Sequence, residues 1–234
     1  GGWSGMGPSL FAYAPWQDGR GEPPPSGAGL ANTPLLLYEN TRNVADIERA
    51  LDGYQHPDDW SGGAWLSDRS GNGALLFAGT KATGAKYWYG FVNPAGPDIP
   101  CVFQPVVTEY TACRLADGSS CPPEDLTECP GHDEMRGWWS SRFAGQFLLY
   151  DPDDLGQVAA GTMKPWEPQP YAVIDIDEHL YKTRSPDVDE LVSTGVQRRY
   201  RTGGVAFDRA NGLLYVLEQF ADEAAPVVHV WRLE

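Results

Sequence analysis

The chain has 234 residues, of which 17 are Lys or Arg and 32 are Asp or Glu, so its formal net charge is −15. Phosphate groups and anionic lipids are bound by basic surfaces, and this charge therefore argues against nucleic acid and anionic membranes as partners. Nine Trp and 11 Tyr residues supply much apolar area to bury, which argues against disorder. No stretch approaches the roughly 18 apolar residues of a membrane helix.

Short apolar segments, bounded by Gly, Pro, Asn or Asp, predict strands along most of the chain. They are residues 8–15, 34–39, 63–66, 74–79, 86–92, 145–150, 171–176, 203–207, 212–218 and 227–233. Asn72-Gly73 and Asn211-Gly212 predict hairpin turns within 67–73 and 208–212. Capping patterns predict helices at 43–51 and 151–160, the second with the acidic first turn Asp151-Pro152-Asp153-Asp154, and a third, weaker pattern lies at 187–193.

The cysteines indicate the compartment. All four lie in one Pro-rich segment: Cys101, Cys113, Cys121 and Cys129. None has the spacing of a zinc or C-x-x-C redox motif, and their even number predicts two disulfides that staple a loop with little core of its own. Three pairings are open, and the Asp117-Gly118 turn favours Cys113–Cys121 nested inside Cys101–Cys129. Disulfides imply an oxidising compartment, so we expect a secreted or cell-surface protein.

A weak internal repeat suggests the architecture. Residues 62–66, 74–79 and 86–92 have the same layout as residues 203–207, 213–218 and 227–233: a Gly-Gly opening, an apolar strand, an Asn-Gly hairpin and a third strand. This layout is typical of a propeller blade, whose inner strand begins at glycines because inner strands crowd together around the axis. A jelly roll or sandwich could use the same strands.

The predicted fold class is all-β, with β-propeller-like antiparallel meanders, a disulfide-bearing loop insertion and one or two short helices. The predicted domain spans residues 1–234 as a single unit or as part of a larger propeller, and residues 93–136 form its Cys- and Pro-rich inserted loop. The chain opens Gly1-Gly2-Trp3 without an initiator Met, which predicts a processed product, a trimmed chain or a fragment.

The strand count predicts a partner. The strands suffice for about three blades, whereas a closed propeller needs at least about four. We therefore expect a second polypeptide, further copies or a missing N-terminal half to complete the fold, by pairing with the strands at 8–15 and 227–233 across more than about 1,000 Å². The alternative is that these two strands pair with each other and close a small barrel or sandwich.

Five segments of the chain, about two fifths of its length, resemble secreted bacterial β-propeller-like proteins of unassigned activity. They are residues 2–15 (GWSGMGPSLFAYAP), 53–66 (GYQHPDDWSGGAWL), 79–90 (GTKATGAKYWYG), 136–161 (RGWWSSRFAGQFLLYDPDDLGQVAAG) and 203–233. The resemblance implies an extracytoplasmic, propeller-like module. It supplies no catalytic residues.

Aromatic and ionisable side chains near the predicted inner strands suggest a glycan-binding mouth. Aromatic rings stack on the C–H faces of sugars, while sugar hydroxyls donate to carboxylates. The predicted site consists of His56, Asp59, Trp60, Trp88, Tyr89 and Trp138. The structural alternative is that the Trp rings only pack between blades.

Two further functions compete with this non-catalytic binding module. Paired carboxylates would make the chain an extracellular carbohydrate-active enzyme, a glycoside hydrolase or lyase. The available acids are Asp58, Asp59, Asp175, Asp177 and Glu178. Acids are mostly at the surface in so acidic a chain, so we assign no catalytic residue. The other competitor is a structural subunit of an extracellular assembly.

No cofactor is predicted, apart from a structural Ca²⁺ held by Asp175 and Asp177. These carboxylates are hard oxygen ligands, and as alternate residues of a strand they would share one face. His229 is predicted to be a packed or edge-strand residue.

Overall fold

A computed structural model describes residues 5–13, 32–38, 49–54, 58–68, 70–83, 86–88, 101–104, 110–113, 138–140, 143–181, 201–222 and 225–233. Within these residues the chain is mostly β, with antiparallel ladders, one α-helix and one 3-10 helix, and the all-β class predicted from the sequence is correct at this level. The strands are β1 (Ser9–Tyr13), β2 (Asn32–Leu37), β3 (Asp59–Ser67), β4 (Gly73–Ala82), β5 (Lys86–Trp88), β6 (Cys101–Gln104), β7 (Tyr110–Cys113), β8 (Trp138–Ser140), β9 (Phe143–Tyr150), β10 (Ala172–Asp175), β11 (Arg201–Asp208), β12 (Leu213–Asp222) and β13 (Ala225–Arg232).

A four-stranded sheet of order β10-β9-β4-β3 lies at the centre of the fold. Its strand β4 is buried on both faces: Leu75 and Phe77 point into one core, while Leu76 and Ala78 point into the other. Successive side chains of a strand point to opposite faces, so a strand that is apolar at every position must be covered on both sides.

The first core lies between this sheet and the β1–β2 hairpin. Leu36 and Tyr38 pack there against Phe77 and Tyr150. The Tyr38 hydroxyl donates to the Pro168 carbonyl oxygen at 2.6 Å and lies 3.0 Å from the Tyr150 hydroxyl, which therefore donates to Tyr38. Burial raises the pKa of both phenols, so both stay neutral and hold the hairpin against the sheet.

Helix α1 (Pro152–Ala159) covers part of the same core through Leu155. Asp151 is its N-cap, and the side chain accepts a hydrogen bond from the Asp153 N–H. The helix predicted at 151–160 is therefore present, and it begins at Pro152 because proline is favoured in the first turn of a helix.

The second core lies on the opposite face, where the sheet β11-β12-β13 packs. Leu214 and Val216 of β12 meet Leu76 and Phe147 of the central sheet, and the rings of Phe147 and Trp231 make an edge-to-face contact with centroids 5.4 Å apart. The hairpin, the central sheet and the C-terminal sheet are thus stacked face to face.

Strands β3 and β11 approach each other closely where both carry glycine. The Ser61 Oγ donates to the Thr202 carbonyl oxygen at 2.7 Å. A Cβ on Gly62 would collide with the Gly203 carbonyl oxygen, so this crossing requires a residue without a side chain.

The two predicted Asn-Gly hairpins are confirmed, and they are built alike. The Asp68 carboxylate accepts from the Ser70 and Asn72 N–H groups in the β3–β4 turn. The Asp208 carboxylate accepts from the Ala210 and Asn211 N–H groups in the β11–β12 turn. Each aspartate also accepts from the Asn side chain, and these bonds lower the pKa of both carboxyls.

The third strand of the first repeat unit differs from the prediction. Residues 86–92 were expected to be the neighbour of 74–79, but β9 occupies that place, and Lys86–Trp88 pairs with β8 instead. An apolar segment indicates a strand but not its partner, and closing a long loop adds little entropy cost. The insertion predicted at 93–136 also contains two short strands, β6 and β7, which pair with each other.

The terminal strands have partners within the chain. Strand β1 pairs with β2, and β13 pairs with β12, so in the described ladders the two termini do not pair with each other. The helix predicted at 187–193 and most of the one at 43–51 lie outside the described residues. No helix in the part of the chain that the structure describes has the length and apolar character of a membrane span.

Candidate functional site

Four side chains gather at the end of the central sheet where β3 begins. We call Tyr54, Asp58, Trp60 and Lys81 the Trp60 cluster. Trp60 lies opposite Gly79 in the β3–β4 ladder, and Lys81 comes two residues after Gly79, so Trp60 and Lys81 share one face of the sheet. Tyr54 and Trp60 also pack against the first core.

The Trp60 cluster contains a largely buried ion pair between Asp58 and Lys81. Asp58 Oδ2 accepts from the Lys81 ammonium at 2.8 Å, and Oδ1 accepts from the Ala82 N–H at 2.8 Å. The Asp58 side chain is fully buried, whereas 18% of the Lys81 side chain is exposed. Burial lowers the pKa of Lys81, an effect that the Asp58 charge opposes, and burial with the same charge raises the pKa of the Tyr54 phenol.

The indole of Trp60 lies against Gly79, where a Cβ would collide with its ring. Its Nε1 is buried and has no hydrogen-bond partner among the described residues. Indole N–H is a donor only, and leaving such a donor unsatisfied costs about 1–3 kcal/mol. The cluster therefore holds a buried N–H group without an acceptor among the described residues, beside the Asp58–Lys81 ion pair.

Four of the six residues predicted to bind a glycan lie at the end of the central sheet where β3 begins: Asp59, Trp60, Trp88 and Trp138. Asp59 is half-buried beside Trp60 and opposite Thr80. The backbone sets Trp88 opposite Trp138 on the β5–β8 ladder, which continues from the end of β4 and the start of β9. His56 and Tyr89 lie outside the described residues.

The two aspartates predicted to hold Ca²⁺ bind main-chain N–H groups. Asp175 accepts from the Asp177 N–H at 2.8 Å, and Asp177 accepts from the Gly145 N–H. They do not share one strand face as expected, because β10 ends at Asp175 and the 3-10 helix Asp177–His179 begins two residues later. Among the described residues, no three His, Cys, Asp or Glu side chains are grouped to hold a metal ion, and the Ca²⁺ site stays a prediction.

A second buried polar cluster was missed by the sequence interpretation. Glu218 is fully buried between the central and C-terminal sheets, where it accepts from the Tyr181 N–H at 2.8 Å and lies 2.7 Å from His229 Nε2. The rings of His229 and Trp231 are 5.5 Å apart. Thr202, opposite Glu218 on β11, has a buried hydroxyl without a partner in the described part of the chain.

In the sequence, this cluster is indicated by one polar residue at a position of β12 where every second residue is otherwise apolar. Leu214, Val216 and Glu218 follow one another on the inward face of β12, so the carboxylate enters a face that is otherwise apolar. His229 was predicted to be a packed or edge-strand residue, and it is half-buried on the edge strand β13. The carboxylate fixes the orientation of the imidazole and ties residue 181 to the C-terminal sheet.

Comparison with known proteins adds no relative. No protein-family model, no curated protein and no solved structure matches the chain.

Proposed function

We propose that the chain is a secreted, non-catalytic binding module of β-propeller-like architecture and that it binds a glycan at the Trp60 cluster. The observation that carries the binding part is the buried Trp60 Nε1, which has no acceptor in the described part of the chain. The extracytoplasmic location is supported by the even number of cysteines in one segment.

Sheet packing supports the propeller-like part of the proposal. Blades of a propeller are small antiparallel meanders that stack face to face around an axis. The order β3-β4-β9-β10 is such a meander, and β11-β12-β13 repeats its first three strands. The close approach of β3 and β11 at Gly62 and Gly203 is what two inner strands beside an axis require.

Chemistry at the site favours a neutral sugar. Trp60 Nε1 requires an acceptor, which a sugar hydroxyl or an acetamido carbonyl supplies. The Lys81 charge is matched by Asp58, so the cluster offers an acidic sugar no unpaired cation. The backbone ladder that sets Trp88 opposite Trp138 lies at the same end of the sheet, and aromatic residue types are those on which sugar rings stack.

Replacing Trp60 with Phe tests this proposal, because it keeps an aromatic ring and removes the N–H donor. We expect glycan affinity to fall about tenfold, the effect of losing one hydrogen bond of about 1.4 kcal/mol. Isothermal titration calorimetry with cellohexaose, maltohexaose and chitohexaose would measure it, with polygalacturonate as the acidic comparator.

Trp65→Phe is the matched control, since Trp65 lies on the same strand near its other end and its side chain is 45% exposed. Its glycan affinity should equal that of the unchanged protein. Equal affinities for the two variants, or the absence of binding to every neutral oligosaccharide, would contradict the proposed site.

A role in assembly is the second candidate, and the position of β13 at the edge of its described sheet favours it. In the central sheet, β10 lies beside β9; the equivalent place beside β13 holds no strand among the described residues. Unpaired backbone groups on an edge strand invite another strand, and the exposed Val228 and Val230 lie on this one. We propose that a strand of a second polypeptide or a further copy pairs there.

Light scattering of the purified protein tests this second candidate. We expect a particle heavier than the 25.6 kDa chain, either as a dimer or with a co-purifying polypeptide. A monodisperse species of 25.6 kDa would contradict assembly and leave the glycan proposal intact, because the two sites are separate.

A further inference from the structure

Two of the four cysteines lie directly opposite each other in a backbone ladder. Strands β6 and β7 form an antiparallel pair, and residues 105–109 connect them. The register begins with Gln104 opposite Tyr110 next to the connection and ends with Cys101 opposite Cys113 at the open end.

This register brings the two backbones within the reach of a disulfide. Directly opposite residues of antiparallel strands have Cα atoms about 4.5–5.5 Å apart. Disulfides bridge Cα atoms about 4.4–6.8 Å apart. The nested arrangement favoured by the Asp117-Gly118 turn would instead join Cys113 to Cys121 and Cys101 to Cys129. It would leave the two cysteines that face each other in the ladder unbridged.

We propose that Cys101 and Cys113 form a disulfide that closes the open end of the β6–β7 ladder. Each thiol loses one proton and one electron as the S–S bond forms. The two electrons reduce the disulfide of a thiol–disulfide exchange catalyst, which becomes a dithiol. Cys121 and Cys129 are then left for each other, so the insertion consists of two successive closed loops. This inference is independent of the glycan site.

Peptide mapping of the full chain, exported into an oxidising compartment and never reduced, distinguishes this pairing from the other two. Trypsin cleaves after Lys86, Arg114 and Arg136, with no Lys or Arg between them, so Cys101 and Cys113 fall in peptide 87–114 while Cys121 and Cys129 fall in peptide 115–136. We expect two separate peptides, each lighter by two hydrogen atoms than its reduced form. Both alternative pairings would hold the two peptides together as one species, and either that species or alkylated thiols in peptide 87–114 would overturn the proposal.

Serine variants give a second readout that does not depend on complete digestion. In Cys101→Ser, the thiol alkylated under denaturing conditions should be that of Cys113. In Cys121→Ser, it should be that of Cys129. Alkylation of Cys129 in Cys101→Ser would show that Cys101 pairs with Cys129, as in the nested arrangement, and would overturn the proposal.

Discussion

Glu218→Ala should lower the free energy of unfolding by about 3 kcal/mol, because it removes a buried hydrogen-bond partner from two groups, and each group left unsatisfied costs about 1–3 kcal/mol. The variant leaves His229 Nε2 and the Tyr181 N–H without the carboxylate to which both are bonded. Water has little access, because Glu218 is fully buried and only 14% of the His229 side chain is exposed. Urea denaturation followed by tryptophan fluorescence would measure the loss.

Two further variants separate this effect from a general loss of negative charge. Glu178→Ala removes a carboxylate whose side chain is 82% exposed and which lies 3.3 Å from His179, so its effect should stay within about 0.5 kcal/mol. Glu218→Gln keeps the shape and one acceptor oxygen, and we expect a loss between those of the two alanine variants. Similar losses for Glu218→Ala and Glu178→Ala would show that the buried cluster contributes little.

Strands with continuous apolar patterns were predictable from the sequence. The segments at 74–79 and 145–150 lie within β4 and β9, and residues 213–218 lie within β12. The first of these segments is apolar throughout because β4 is buried on both faces. Pairing across the insertion was not predictable. Nothing local in residues 143–150 indicates that they, rather than residues 86–88, lie beside β4.

The candidate site was predictable only in part, for a similar reason. Trp60 was identified because it adjoins acids before a predicted strand. The position of Lys81 beside Trp60 depends on the register of β3 against β4, which shifts between Trp60 and Gly62. Such an irregularity moves side chains from one face to the other and leaves no clear pattern in the sequence.

The second large effect on stability is expected at the Gly-Gly pairs within β3 and β11. A Cβ on Gly62 would collide with the Gly203 carbonyl oxygen and would lie 2.6 Å from Val205 Cγ2. A carbonyl oxygen of the backbone cannot rotate away as a side chain can, so the strands must separate. We expect Gly62→Ala to lower the free energy of unfolding by about 3 kcal/mol, the upper part of the range for overpacking.

Gly204→Ala provides the matched control, since Gly204 follows Gly203 in the same motif and a Cβ there would meet nothing within 4 Å. Alanine restricts the unfolded chain more than glycine does, so this variant should be neutral or more stable by up to about 1 kcal/mol. If urea denaturation shows that the free energy of unfolding falls in Gly62→Ala and stays equal or rises in Gly204→Ala, the Gly62 effect arises at the β3–β11 crossing. Equal small changes in the free energy of unfolding for the two variants would mean that β3 and β11 separate easily. Inner strands around an axis have no room to move apart, so the propeller-like packing would then lose its main support.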